Sequence, residues 1–131
     1  MKYILIISIA IIAIIVFYIA FTQEDFIKLR YSQSKIQELL LKEFPIGTQD
    51  EIIISALNKK GIKYNHYKNM GFLKQEPPKD KVVGMQSIRA YLGRYRSFPI
   101  PFITASVVAY FGFNEQGKLI DIWVWKTYDS L

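Results

Sequence analysis

The sequence predicts an α+β protein: an N-terminal transmembrane helix, then two short helices packed on one face of a three- to four-stranded antiparallel sheet. Three observations lead to this fold class. An uncharged apolar run fills residues 3–21, apolar residues recur at helical spacing over 34–60, and apolar and polar residues alternate over most of 62–127. A chain of 131 residues has room for one folded domain after its N-terminal segment.

The apolar run 3–21 predicts a membrane-spanning helix. Its uncharged residues rise ~28 Å as a helix, close to the ~30 Å hydrocarbon core of a bilayer. A cleaved signal peptide is the alternative, disfavoured because the run is long and no Ala-x-Ala site follows it. We therefore expect a transmembrane signal anchor at 1–22, a juxtamembrane helical linker at 23–33 and the folded domain at 34–131.

The charges that flank this segment bear on the orientation of the domain. Lys2 precedes the apolar run, whereas Lys28, Arg30 and Lys35 follow it, and this count slightly favours a cytoplasmic domain. However, a folded domain behind a signal anchor translocates largely regardless of charge. We therefore expect the domain on the outer side of the membrane.

Two short helices are predicted within residues 34–60. Each begins with a residue pair that has capping-box spacing: Ser34 with Gln37, and Thr48 with Glu51. Pro45 ends the first helix because its ring disfavours a helical residue before it. Gly61 is the expected left-handed stop of the second helix.

Alternating residues beyond Gly61 predict four strands, at 62–68, 82–95, 103–113 and 118–127. The stretch 69–81, rich in Gly, Pro and charges, is expected to be a loop. The segment Asn114-Glu115-Gln116-Gly117 has the composition of a hairpin turn.

The last hairpin predicts a register in which aliphatic residues face each other across the two strands. With Phe113 opposite Lys118, the opposed pairs are Phe111 with Ile120, Ala109 with Ile122, and Val107 with Val124. We expect the two helices to cover this aliphatic face.

The other face of the predicted sheet carries large aromatic residues and a cation, as binding hot spots do. We take these as candidate partner-binding residues: Arg89, Tyr91, Tyr110, Trp123 and Trp125. Two alternatives remain open. The aromatic residues pair across strands only to stabilise the sheet, or the loop 69–81 folds over them.

Charge and motif content restrict the function classes. Residues 59–96 hold ten Lys and Arg against two acids, a net of +8, which suits either contact with an anionic surface or ordinary solvation. Nucleic acid is not expected as a partner of a membrane-anchored domain. His66 is the single histidine of the sequence, and Cys is absent. The sequence contains no nucleophile elbow, no metal-ligand spacing and no phosphate-binding loop. We expect no enzyme, no cofactor and no metal.

Two segments carry a resemblance to a known family. They are Phe44-Pro45-Ile46-Gly47-Thr48, followed by Glu51 and Leu57, and Phe111-Gly112-Phe113-Asn114-Glu115-Gln116-Gly117-Lys118-Leu119. The stretch 34–127 resembles the SmpA/OmlA (BamE-like) domains and the wider group of folds similar to β-lactamase inhibitor protein. The resemblance implies two helices on an antiparallel sheet, in a bacterial envelope protein that binds another protein without catalysis. BamE-like members are typically lipoproteins anchored through a Cys that this chain lacks, so a role in outer-membrane assembly is not carried over.

The combined expectation is a membrane-tethered, non-catalytic protein-interaction module of the bacterial cell envelope. It would be a single-pass protein of the inner membrane with a periplasmic domain, and its partner would be another envelope protein. The alternative is an inhibitor or immunity protein that blocks a hydrolase or toxin. A small enzyme with a polar cleft around His66 is the third hypothesis.

Overall fold

The computed structural model describes residues 2–24, 28–77, 79–96 and 103–130. Over these residues the helices are α1 (Lys2–Glu24), α2 (Gln33–Glu43) and α3 (Asp50–Lys59). The strands are β1 (Lys63–Tyr67), β2 (Phe72–Lys74), β3 (Lys81–Val83), β4 (Gln86–Arg96), β5 (Ile103–Phe113) and β6 (Leu119–Ser130). An antiparallel sheet has the strand order β1-β4-β5-β6, and β2 and β3 form a separate antiparallel hairpin. The α+β class with helices and an antiparallel sheet is confirmed.

Helix α1 requires a correction to the predicted fold class, which included a transmembrane helix. Its side chains are described over residues 2–15, and they are exposed. Among the described residues, no helix offers an apolar stretch long enough to span a membrane.

The two helices predicted within 34–60 are confirmed as α2 and α3, but their capping differs. Ser32, not Ser34, caps α2, because its Oγ accepts a hydrogen bond from the Lys35 backbone N–H at 3.1 Å. Helix α3 starts after Gln49 without a side-chain cap, and the Thr48 hydroxyl instead donates to the Pro45 carbonyl at 2.6 Å. Both predicted capping boxes are therefore wrong. The predicted glycine stop is confirmed, since Gly61 has a φ of +68°.

Helices α2 and α3 cover the aliphatic face of the sheet, as predicted. Their buried residues Ile36, Leu40, Ile53 and Leu57 belong to one core cluster with the inward residues of the sheet. The sheet contributes Ile88, Ala90, Val107, Ala109, Phe111, Ile122 and Val124 to this cluster. The core forms because packing the apolar stripe of each helix on the aliphatic sheet face removes both surfaces from water.

Helix α2 also covers the outer edge of the sheet. The Gln37 Oε1 accepts a hydrogen bond from the Val124 backbone N–H at 3.3 Å, and the Gln33 Oε1 accepts one from the Lys126 backbone N–H at 2.8 Å. These amides point away from β5, so the two glutamines satisfy donors that an edge strand otherwise presents to water or to another chain.

The predicted register of the last hairpin is wrong by two residues. Phe111 lies opposite Ile122, and Ala109 lies opposite Val124. The shift has two parts. The loop is one residue longer than predicted, so Phe113 pairs with Leu119 instead of Lys118. A bulge at the start of β6 adds the second residue, because the next pair is Gly112 with Asp121, which leaves Ile120 as the extra residue.

The bulge in β6 exchanges two side chains between the faces. Leu119 is fully buried in the helix-side core, whereas Ile120 is 41% exposed. Ile122 and Val124 keep their predicted place because a shift of two residues preserves the face of a strand residue. The predicted burial of Ile120 is wrong.

A second bulge lies within β4. Tyr91 pairs with Val108 and the next pair is Gly93 with Val107, which leaves Leu92 unpaired, and Gly93 has a φ of +136° that favours glycine. Beyond this bulge, Tyr95 packs against the core that the helices cover, whereas unbroken alternation from Arg89 and Tyr91 would place it on the opposite face. The predicted strand 82–95 is also divided, since β3 ends at Val83 and β4 begins at Gln86.

The two segments that carry the family resemblance are hydrogen-bonded to each other. The Gly47 N–H donates to the Leu119 carbonyl at 2.8 Å, the Leu119 N–H donates to the Thr48 carbonyl at 2.8 Å, and the Asp50 N–H donates to the Gly117 carbonyl at 2.9 Å. The turn between the helices is thereby fixed to the β5–β6 hairpin, which orients α3 on the sheet.

Candidate partner-binding face

Three rows of side chains cross the sheet on the face opposite the helices. Strand pairing defines them, because residues opposite each other in adjacent strands share a face. The inner row is Ser87, Gly112 and Asp121; the middle row is Arg89, Tyr110 and Trp123; the outer row is Tyr91, Val108 and Trp125. All five predicted partner-binding residues therefore lie together on this face, in the middle and outer rows.

The β2–β3 hairpin is attached to the inner row. Its strands occupy much of the stretch 69–81 that was predicted to be a loop and extend to Val83, so that prediction is wrong. The Ser87 hydroxyl donates to the Met70 carbonyl at 2.8 Å, and the Lys74 Nζ lies 3.4 Å from the Asp121 Oδ2. Lys74 also donates to Glu76 at 2.9 Å. This hydrogen bond to Glu76 is the main cause that raises the Lys74 pKa, against the opposing effect of burial.

Gly112 makes room for this attachment. A Cβ at Gly112 would lie 2.9 Å from the Val83 Cγ1 and 3.0 Å from the Phe72 Cε1. The hairpin side chains thus rest directly on the β5 backbone, which only a residue without a side chain permits.

The hairpin covers part of the middle row. The Phe72 ring stacks on Trp123 with centroids 6.2 Å apart and an interplanar angle of 8°, and it lies 5.6 Å from Tyr110. Trp123 is only 9% exposed and forms a small core with Phe72 and Val83. One alternative weighed from the sequence, that residues 69–81 fold over the aromatic face, therefore holds for Trp123.

A cleft of about 440 Å³ remains between the hairpin and the sheet. Its lining includes Tyr110, Trp123 and Trp125 from the sheet and Met70, Leu73 and Val82 from the hairpin side. The Trp125 ring is half-buried and lies 5.1 Å from Trp123, measured between centroids. This size and apolar lining are those of sites that accept a small molecule or a few side chains of a partner.

Arg89 is the charged residue that lines the cleft. It is exposed, its Nε donates a long hydrogen bond of 3.4 Å to the Tyr110 hydroxyl, and its Cζ lies 6.0 Å from the centre of that ring. Among the described residues it forms no salt bridge. The guanidinium is thus held beside aromatic rings, with donors left for an anion.

Further cations flank the outer row on the same face. Arg94 and Arg96 lie opposite Ser106 and Thr104 beyond the β4 bulge, and both are exposed. Lys63 lies opposite Tyr91, which is 42% exposed. These cations were not among the predicted site residues. Their signal was the basic excess of residues 59–96, but only the bulge places Arg94 and Arg96 on this face.

His66 lies away from the cleft. It belongs to β1, and its Nε2 is 3.7 Å from the Asp50 Oδ2 at the start of α3. This Nε2 has no hydrogen-bond partner within the described part of the chain. Over the same residues, no group of three or more His, Cys, Asp or Glu side chains could hold a metal ion.

Comparison of the chain with protein-family models, curated proteins and solved structures found no significant match. The resemblance to BamE-like domains therefore stays a prediction based on the two quoted segments.

Proposed function

We propose that this protein is a non-catalytic protein-interaction module whose partner binds on the sheet face opposite the helices. The observation that carries the proposal is the aromatic cleft between the β2–β3 hairpin and the sheet, with Trp125 and Arg89 in its lining. Aromatic and Arg side chains in a desolvated pocket are the usual anchors of protein interfaces.

Exposed apolar residues around the cleft support the same proposal. Leu73 and Val82 on the hairpin are 50% and 65% exposed, and Met70 is exposed at the start of the hairpin. Met70, Leu73 and Val82 all line the cleft, and the exposed Tyr91 lies on the same face of the sheet. Surfaces of this kind usually mark binding sites, whereas isolated exposed apolar residues carry no such meaning.

The proposal does not depend on the location predicted from the N-terminal segment. The bacterial inner membrane and the periplasm stay predictions, as does an envelope protein as the partner. The binding face belongs to the domain that follows α1, and its chemistry is the same in any aqueous compartment.

A crosslinking experiment in the native host tests the proposal. A photoreactive amino acid at position 91 should capture a defined protein. Trp125→Ala should abolish that adduct because the partner loses its anchor in the same row, two strands away. Ile52→Ala is the matched control, since Ile52 is an exposed apolar residue on α3. An adduct that survives Trp125→Ala, or is lost equally with Ile52→Ala, would contradict a role for this face.

A further inference from the structure

We infer that the segment of the partner that occupies this face is an extended acidic peptide with an apolar side chain that enters the aromatic cleft. This inference rests on the proposed function and specifies the chemistry of the partner. It is carried by the charges around the cleft, by their arrangement along one strand and by the state of the aromatic rings.

The charges of the face are predominantly positive. Arg89, Arg94, Arg96 and Lys63 all lie on it, and all are exposed. Two acids share this face: Asp121 faces the hairpin cation Lys74 at 3.4 Å, and Asp129 lies in the row of Thr104 and Arg96, which leaves the cations in excess. A partner segment with carboxylates is therefore complementary, and a basic one is repelled.

The geometry of β4 favours an extended ligand. Arg89, Arg94 and Arg96 follow one strand, over a distance of about 20 Å at ~3.3 Å per residue. A peptide in extended conformation covers this distance with about six or seven residues, and its alternate side chains point to the same side. Carboxylates on one side of such a peptide can face the arginines while an apolar side chain enters the cleft beside Trp125.

The state of the aromatic rings argues against a single-stranded nucleic acid, which is the other polyanion that basic aromatic faces bind. Nucleic acids need successive exposed rings on which bases stack. Here Trp123 is covered by Phe72, and Trp125 is half-buried against Trp123. With one tryptophan covered and the other half-buried, the middle and outer rows offer no open series of rings for stacking.

Fluorescence polarisation with the purified full chain tests the inference. The probe is a labelled peptide of about nine residues with a central Phe and Glu at alternate positions, which is long enough to cover the face. We expect salt-sensitive binding, and about tenfold weaker binding of a peptide with Gln in place of Glu. Replacing the central Phe by Ser should weaken binding because the cleft is then left empty.

Matched protein variants separate a specific site from general charge. Arg89→Gln with Arg94→Gln should weaken the acidic peptide about tenfold, whereas Lys42→Gln with Lys59→Gln should change binding by less than about twofold. The latter two lysines are exposed on the helices. Circular dichroism of each variant verifies that the fold is retained.

Three results would overturn the inference: equal binding of the Glu and Gln peptides, equal loss in both variant pairs, or displacement of the acidic peptide by oligothymidine at lower concentration than by unlabelled peptide. The proposed function fails separately. Position 91 could capture a protein in a manner that requires Trp125 while the captured segment is neutral or basic. That result would support the protein-interaction module and contradict the acidic character of its partner.

Discussion

Replacing Ile122 by Ala should destabilise the protein far more than replacing its neighbour Ile120. The two residues are chemically identical and two positions apart on β6, so an unbulged strand would place them on the same face with the same burial. The bulge instead leaves Ile122 fully buried among residues of α2, α3 and β5, and Ile120 41% exposed.

The expected magnitudes follow from this difference in burial. Ile→Ala removes three carbon atoms, worth about 0.8 kcal/mol each when fully buried, or about 2.5 kcal/mol. The cavity left at Ile122 adds to this loss, so the free energy of unfolding should fall by ~3–4 kcal/mol, within the usual range for such changes. At Ile120 the same atoms are much less buried, and we expect a loss of about 1 kcal/mol.

Urea unfolding of the full chain, followed by tryptophan fluorescence and by circular dichroism, measures both changes. Leu119→Ala serves as a third variant, because the bulge buries Leu119 completely. A loss at Ile120 equal to or larger than the loss at Ile122, with a small loss at Leu119, would refute the bulge and restore the register predicted from the sequence.

Three further changes test the contacts around the sheet. Gly112→Ala should displace the β2–β3 hairpin, because the added Cβ would lie 2.9 Å from a hairpin side chain. Limited proteolysis within the hairpin should then be faster, while the sheet signal in circular dichroism persists. Lys74→Met should destabilise the protein below pH 10.5, the ordinary pKa of this amine. The difference in unfolding free energy from wild type should shrink at higher pH, because deprotonation of Lys74 removes the Glu76 hydrogen bond that raises its pKa. Urea titrations at about pH 8 and about pH 11 measure this difference. Gln33→Ala should cost ~1–3 kcal/mol and speed hydrogen exchange at the Lys126 amide, which loses its acceptor; unchanged exchange there would contradict the protection of the β6 edge by α2.

The candidate site shows how far local patterns reach. Strand alternation was enough to place Tyr110, Trp123 and Trp125 on the face opposite the helices, because they lie in stretches of β5 and β6 that no bulge interrupts and alternate residues there share a face. The exposure of those residues was not predictable in the same way. Trp123 is buried because Phe72, about fifty positions earlier in the sequence, stacks on it.

By itself, the sequence determined the elements whose signals are local. Helical spacing predicted α2 and α3, Gly61 predicted the end of α3, and alternation predicted the two faces of the sheet, since each depends on residues a few positions apart. Only the tertiary structure decided the bulges at Leu92 and Ile120, the hairpin over Trp123 and the placement of Arg94 and Arg96 on the face that carries the cleft. A bulge or a docked hairpin is stabilised by packing between segments that are distant in the sequence. A local pattern contains no information about which distant segment will supply that contact.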